Sequence, residues 1–335
     1  MTQRATSQHR PAAIALAAAL LCLGAAAGCS RESGQASGPG EETPAAECGR
    51  DCLIDLLDRY LAAVLAHDPD AAPLADDFRA TQNARPTAIG EGVWTSATAL
   101  GALQRRYADG QTGQAGYVGL LGEGASTAIV SLRISVEDRR ITEAEWVIAR
   151  DETPLYNPAG FTANPPPEEV VADGAPPVTR DAAIAAVESY YDGIEAADAS
   201  AVIAAPDCFR LENGSWMVGR IPERAEIDPA DAQPGYNIAL LTGPDAVCVG
   251  GFQNFRNNIR AVAGRRYFFD DVAGVLWATV VFERAEGAAD RNGQLFPWVY
   301  LTNIFRIEDG RIQGIHAVSH RIAVDALPPE WPGAQ

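Results

Sequence analysis

Val136-Glu137-Asp138-Arg139-Arg140-Ile141 and Ile307-Glu308-Asp309-Gly310-Arg311-Ile312 are two copies of one pattern. Each has a β-branched residue, a Glu-Asp pair, a tight polar turn, then Arg and Ile. Thr127–Val136 and Ile141–Ile148 flank the first copy and read as strands joined at that turn. Around the second lie Arg265–Phe269, Gly274–Glu283, Trp298–Ile307 and Arg311–Ile322, four more runs rich in β-branched and aromatic residues. Each half of the chain therefore closes on an antiparallel hairpin.

The repeat extends upstream. Cys52 to His67 is an amphipathic helix, with Leu53, Leu57, Tyr60 and Val64 on one face. Thr179 is placed to cap a second helix that buries Ile184, Val187, Tyr191 and Ile194. Tyr60 precedes Arg79 by nineteen residues, and Tyr191 precedes Arg210 by nineteen. Each Arg follows a Phe and is followed shortly by an Asn, Asn83 or Asn213. Between the halves, Pro154 to Pro177 is Pro-rich and aperiodic and reads as a linker, about Asp151–Val178. The expected domains span 48–150 and 178–323, with a Pro-containing tail from 324.

Composition excludes several function classes. The formal net charge is −18, which disfavours nucleic acid and anionic lipid surfaces as partners. All 26 basic residues are Arg, so P-loop and Schiff-base lysine chemistry are ruled out. Gly-x-Ser-x-Gly, a Rossmann glycine fingerprint and His-Glu-x-x-His are missing from the sequence. No cofactor and no metal are expected.

The N-terminus reads as an export signal. Arg4 and Arg10 precede an apolar run from Ala12 to Ala27, shorter than a membrane span. Ala26-Ala27-Gly28-Cys29 resembles a bacterial lipobox, with Ala26 where Leu is usual. Residues 1–28 are thus expected as signal peptide and Cys29 as a lipidation site, simple cleavage being the alternative. Ser30 to Ala46 is rich in Gly, Ser, Glu and Pro and reads as a flexible tether, residues 29–47. Membrane contact is expected only through the lipid, in the periplasm or on the outer membrane. In an oxidising compartment Cys48, Cys52, Cys208 and Cys248 read as two disulfides. Cys48–Cys52 with Cys208–Cys248 is the expected pairing, though four Cys allow three connectivities.

Helix first, hairpins last and an acidic turn before the final strand resemble the NTF2-like superfamily. Arg79-Ala80-Thr81-Gln82-Asn83 with Ile89-Gly90-Glu91-Gly92-Val93-Trp94 is similar to SnoaL-like variants, as is Asp207-Cys208-Phe209-Arg210-Leu211-Glu212-Asn213-Gly214. The resemblance implies an α+β fold of two tandem cones, helices packed in a curved antiparallel sheet. It also implies a pocket inside the cone, cofactor-independent lyase, dehydratase or isomerase chemistry on a small apolar or aromatic molecule, and pairing of the two domains as an internal pseudo-dimer. One superfold hosts many activities, so function rests on the site.

His316 is the candidate base, on the last strand and sharing a face with Val318 and His320. Its alternative is a packed or rim histidine. His316 and His320 lie about 13 Å apart by strand rise, too far to share a metal. Arg210, Glu212 and Asn213 could hold a polar substrate head, or fix a turn. Tyr191 with Asn213 and Arg210 would position substrate, while Tyr60, Trp277 and Trp298 would offer aromatic lining. Glu145 aligns with His316 in the repeat and would be a raised-pKa base if buried alone. The rival to an enzyme is a non-catalytic envelope lipoprotein that binds a small ligand or a partner protein.

Overall fold

The computed structural model describes residues 48–168, 178–219, 247–289, 293 and 295–322. The expected signal, Cys29, the tether and the tail lie outside these residues. Helix α1 (Arg50–Ala66) is followed by β1 (Leu74–Gln82), β2 (Arg85–Pro86), a short α2 (Val93–Ser96), then β3 (Ala99–Asp109), β4 (Gln114–Glu123), β5 (Ser126–Glu137) and β6 (Arg140–Ala149). A short α3 (Pro158–Ala163) separates these from α4 (Arg180–Ala196). Then come β7 (Ala204–Glu212), β8 (Ser215–Val218), β9 (Ile259–Asp270), β10 (Val275–Arg284), β11 (Trp298–Glu308) and β12 (Arg311–Ile322).

Both sheets have six strands in one topology, β2-β1-β6-β5-β4-β3 and β8-β7-β12-β11-β10-β9. The late hairpins lie where the sequence places them. Asp138 (φ 48°) and Arg139 (φ 60°) close one, Asp309 (φ 50°) and Gly310 (φ 67°) the other, both as left-handed two-residue turns. Two expectations need correction. The sheets are mixed, because β1 pairs with β6 and β7 with β12 in parallel. Among the described residues, each sheet also packs on one long helix, α1 or α4. Register shifts in β1, β5 and β10 supply the local bending that curls the sheets.

Helix α1 buries Leu53, Leu57, Tyr60 and Val64 and stops at His67, a left-handed cap. Helix α4 is capped by Thr179, whose side chain accepts from Ala182 N. Counting from Arg50 and Arg180, Tyr60 corresponds to Tyr190, not Tyr191. The Arg79–Arg210 match also slips by one residue. Arg79 pairs in register with Glu143, whereas Phe209 takes the equivalent place opposite Gly314. A one-residue slip reverses the face, so Arg79 points away from the core while Arg210 points in.

The segment after β6 is more than a linker. Phe161 on α3 is buried between the sheets, and Asn157 N donates to Asn213 O at 2.8 Å. Gly214 (φ 83°) is required there, since a Cβ would lie 2.0 Å from Asn157 O.

The outer faces of the two sheets pack on each other. Val118, Ile129 and Val147 of one sheet share a core layer with Trp277, Ile304 and Val318 of the other. Trp277 stacks on Phe268, with ring centroids 5.2 Å apart. Gly116 leaves room for that indole, since a Cβ would sit 2.6 Å from it. Ser131 Oγ donates to Thr302 Oγ1 at 2.9 Å across the layer.

Two reciprocal ion pairs frame the contact. Arg50, at the start of α1, donates to Asp270 at the end of β9, with Nη2 at 3.1 Å from Oδ2. Arg180, at the start of α4, donates to Asp109 at the end of β3, with Nη2 at 2.6 Å from Oδ1. Each carboxylate also accepts a main-chain N–H from the other half. Ala108 N lies 2.8 Å from Asp270, and Phe269 N lies 3.0 Å from Asp109. Both aspartates are buried. Asp270→Ala would break the buried ion pair with Arg50 and leave Ala108 N without its acceptor, and should cost about 3–5 kcal/mol, read as a fall in the urea midpoint of unfolding.

Burial raises the Asp109 carboxyl, but the Arg180 hydrogen bonds and Phe269 N outweigh it, and its pKa is lowered. A depressed folded pKa adds stability that is complete above the ordinary Asp range, near pH 4. That stability is lost as pH falls through the folded value. Wild type should therefore lose stability more steeply than Asp109→Asn below about pH 4, measured as urea midpoints across pH. Parallel curves would contradict this.

Candidate functional site

The two sheet interiors differ in content. In the first half, Tyr60, Trp94 and Trp146 fill the concave side; Tyr60 meets Trp94 edge-on at 5.4 Å. Burial pushes the Tyr60 hydroxyl up to about 12, offset in part by Trp146 and Trp94. Tyr60 is thus a buried core residue of the first half and does not line the cavity of the second.

The second half places smaller or polar groups at matching positions. In the two topologies Ala317 stands where the first half has Trp146, and Asn303 where it has Leu132. Asn303 Nδ2 donates to the Tyr191 hydroxyl at 2.7 Å. Arg210 Nη1 lies 3.4 Å from the Tyr190 hydroxyl, and its Nη2 donates to Glu212 at 3.0 Å. Ser319 Oγ donates to the other Glu212 oxygen at 2.7 Å. Asn303 Oδ1 and Arg210 Nε are buried with no hydrogen-bond partner among the described residues. Burial opposes the charge on Arg210, but Tyr190 and Glu212 outweigh it and raise its pKa. Tyr191 is pushed well above the usual phenol range, chiefly by burial, so it stays a neutral hydroxyl.

A cavity of about 250 Å³ opens beside this cluster at the mouth of the second sheet. Arg210 and Glu212 form its polar wall. Phe255, Phe282 and Leu301 form an apolar wall, and Phe296, Arg284 and Arg321 stand together at the cavity. Phe296 meets two guanidinium groups, its ring centroid 4.5 Å from Arg284 and 4.4 Å from Arg321. Burial lowers the Arg284 pKa, and the like charge of Arg321 adds to that.

Of the sequence-predicted site residues, Tyr191, Arg210 and Glu212 belong to this polar cluster. Asn213 does not act there. It is a left-handed turn residue (φ 47°) whose amide ties the end of β12, accepting from Ser319 N at 2.9 Å. Asn83 does the same with Ile148 N at 2.8 Å.

His316 is also corrected. It pairs with Ile304 and Leu211 on the outer sheet face, turned away from the cavity. It is buried edge-on to Phe209, with centroids 5.5 Å apart. Burial drives its pKa down to about 4, partly countered by the Asn164 backbone. His316 is a packed neutral imidazole with no access to a substrate in the cone.

Glu145 shares that outer face. Burial raises its carboxyl, yet Arg133 and Arg266 outweigh this and the pKa is lowered. Arg133 Nε donates at 2.9 Å, and Arg266 reaches it from the other sheet. It is an ion-pair member, not a lone base. Trp277 lies between the sheets and Trp298 borders that layer, so neither lines the cavity.

Sequence reasoning missed Tyr190, Asn303, Arg284, Phe296 and Arg321. One signal was available. Leu301, Asn303 and Phe305 share a face by alternation, which puts a lone amide among apolar neighbours.

Among the described residues, no cluster of His, Cys, Asp or Glu could hold a metal ion, and no helix is long and apolar enough to cross a membrane. Two disulfides are present, Cys48–Cys52 and Cys208–Cys248, with Cα separations of 5.3 and 5.0 Å. The second pins the loop that carries Gly250, Gly251 and Phe255 to the cavity.

Residues 177–319 match a family described only as a domain of unknown function, DUF8021. No protein of curated function matches the chain. Several solved structures are similar to one half of it. A protein from Sphaerobacter thermophilus is 21% identical over 29% of this chain and 96% of its own, with a TM-score of 0.26. A protein from Xanthomonas campestris, provisionally named a polyketide cyclase, is 19% identical over 42% and 90%, with a TM-score of 0.28. An NTF2-like protein of unknown function from Burkholderia xenovorans is 11% identical over 34% and 94%, with a TM-score of 0.26.

Closing a 40-residue loop should stabilise the fold by about 4 kcal/mol on the chain-entropy account. The double variant Cys208→Ser/Cys248→Ser should therefore lose about that much, by urea unfolding. An unchanged midpoint would mean that the loop is held without the covalent link.

Proposed function

We propose that this chain is an exported small-molecule-binding protein of the NTF2-like type, with the ligand site in the mouth of the second domain. The first domain, its concave side occupied by Tyr60, Trp94 and Trp146, serves as a rigid partner in an internal pair. The observation that carries the reading is the cavity beside Arg210 and Glu212, with Phe255, Phe282 and Leu301 among its apolar walls. Such a concave, largely apolar site with a few convergent polar groups is the usual form of a ligand pocket. The paired disulfides fit an oxidising compartment, and export followed by lipid attachment at Cys29 fits a binding role in the envelope.

A binding role has the better support than a lyase or isomerase. The imidazole assigned as base lies on the opposite side of the sheet, buried against Phe209. The alternative base, Glu145, is held ionised by two arginines. Of the polar cluster, Arg210 and Glu212 line the cavity, and this pair suits recognition of a polar head.

Val299 lines the cavity from the start of β11 and is only half-buried, so a larger side chain there fills the space without entering the deep core. A thermal-shift screen of small aromatic compounds should give hits that stabilise wild type. Saturation at a hundredfold excess over Kd is worth about 2.7 kcal/mol. Val299→Trp should abolish the shift, and His316→Ala should keep it. Hits that stabilise Val299→Trp equally would place the ligand elsewhere and sink the reading.

A further inference from the structure

The two disulfides differ in what a reductant can reach. Cys208 and Cys248 are 0% and 1% exposed. Cys48 and Cys52, four residues apart in sequence, are both only half-buried. Closing so short a loop removes little chain entropy, so this bond contributes less to global stability than its 40-residue counterpart. Accessible disulfides of this kind are the ones that exchange with external thiols.

The place of the bond gives exchange a consequence. It ties the residue before the N-cap of α1 to the first turn of that helix, the N-cap being Gly49. Gly49 has no side chain to cap with, and glycine restrains the entering backbone least. At the matching end of α4 the Thr179 hydroxyl accepts from Ala182 N at 3.3 Å and needs no covalent link. Between the two cysteines stands Arg50. Its Nε lies 3.3 Å from each Asp270 carboxylate oxygen, and its Nη2 lies 3.1 Å from Oδ2. Asp270, in the second half, also accepts Ala108 N of the first at 2.8 Å. The turn after β3 seats on the same spot, since a Cβ at Gly110 would lie 3.5 Å from Gly49 Cα. The disulfide thus holds the backbone from which Arg50 crosses to the other half.

We propose that Cys48–Cys52 is a reversible thiol–disulfide exchange site, reduced by a dithiol, that sets how firmly Arg50 latches the two halves together. It is independent of any ligand in the second domain. In the first step a thiolate of the reductant bonds to one sulfur of the pair and expels the other as a thiolate. The reductant's second thiolate then attacks its own partner sulfur in the mixed disulfide and closes the reductant's disulfide. Two electrons pass to Cys48 and Cys52, which take up two protons. Once reduced, the first turn of α1 frays and Arg50 draws away from Asp270. Asp270 keeps the main-chain donors of its own turn, Val272 N and Ala273 N, so the contact loosens without unfolding either half.

The test titrates the full chain with dithiothreitol under native conditions, traps thiols with N-ethylmaleimide and maps the labelled peptides. Cys48 and Cys52 should label together at a concentration about tenfold or more below that needed for Cys208 and Cys248. Amide hydrogen exchange of Ala108, read on the same samples, should quicken about tenfold on reduction. Arg50→Gln should exchange Ala108 fast from the start and show no further change on reduction. Cys48→Ser/Cys52→Ser reproduces the reduced state without a reductant, and its Ala108 exchange should match that of reduced wild type. If Cys48 and Cys52 resist dithiothreitol as long as the buried pair does, there is no exchange site. If they are reduced while Ala108 exchange stays as it was, in wild type and in the double serine variant, the bond is a local staple and the latch is refuted. Equal quickening in wild type and Arg50→Gln would refute it too, since the effect would then bypass Arg50.

Discussion

Each half of this fold ends a long strand, β3 or β9, in a buried aspartate that takes an arginine and a main-chain N–H from the other half besides the N–H groups of its own turn. Asp109 takes Phe269 N and Arg180; Asp270 takes Ala108 N and Arg50. A buried carboxylate without partners is costly by several kcal/mol, so neither half can hold this conformation alone with its carboxylate ionised and dry. Meeting both demands fixes where the two sheets sit and how each is turned. The helices are fixed by the same contacts, since Arg50 and Arg180 are their first residues. Once the sheets are locked, their outer faces become interior. That is why a histidine and a glutamate on the last strands, His316 and Glu145, are buried beyond the reach of any ligand in the cone.

The face-to-face packing leaves the concave sides free to diverge. Sealing one side of each sheet against the other already provides a large apolar layer, from Val118 and Ile129 to Ile304 and Val318. The first concave side fills itself with Tyr60, Trp94 and Trp146. The second replaces a tryptophan by Ala317 and a leucine by Asn303, and inserts Arg210 beside Tyr190. Each change lowers packing or buries a polar group, and so costs stability locally. The disulfide beside the cavity offsets part of that cost by holding the loop that forms its rim.

Much of the architecture was legible in the sequence because hairpins and amphipathic helices are local. The Glu-Asp turns, the alternating strands and the periodic faces of α1 and α4 all depend on neighbours a few residues away. The parallel pairing of β1 with β6 was not legible, since no local pattern specifies a partner more than sixty residues distant. The site was read in part. Tyr191, Arg210 and Glu212 do stand together, but the match of Phe78-Arg79 with Phe209-Arg210 hid a slip of one residue. In a strand such a slip exchanges inside for outside, so Arg79 pairs with an outer Glu143 while Arg210 enters the cone. His316 failed for a related reason. Alternation says which residues share a face, but not which face the fold will cover.

Buried charge is handled in two ways within this one chain, and the contrast separates scaffold from site. Asp109, Asp270 and Glu145 each have two or more donors, including cations from across the sheet contact. Their pairs hold the two halves together and leave little for a ligand to gain. At the cavity mouth the pattern reverses. Arg284 shares the Phe296 ring with another cation and keeps a buried N–H without an acceptor. The carboxylates that bridge the halves therefore mark what this fold needs in order to stand, while Arg210 and Arg284 carry the local cost of a polar group in the second concave side.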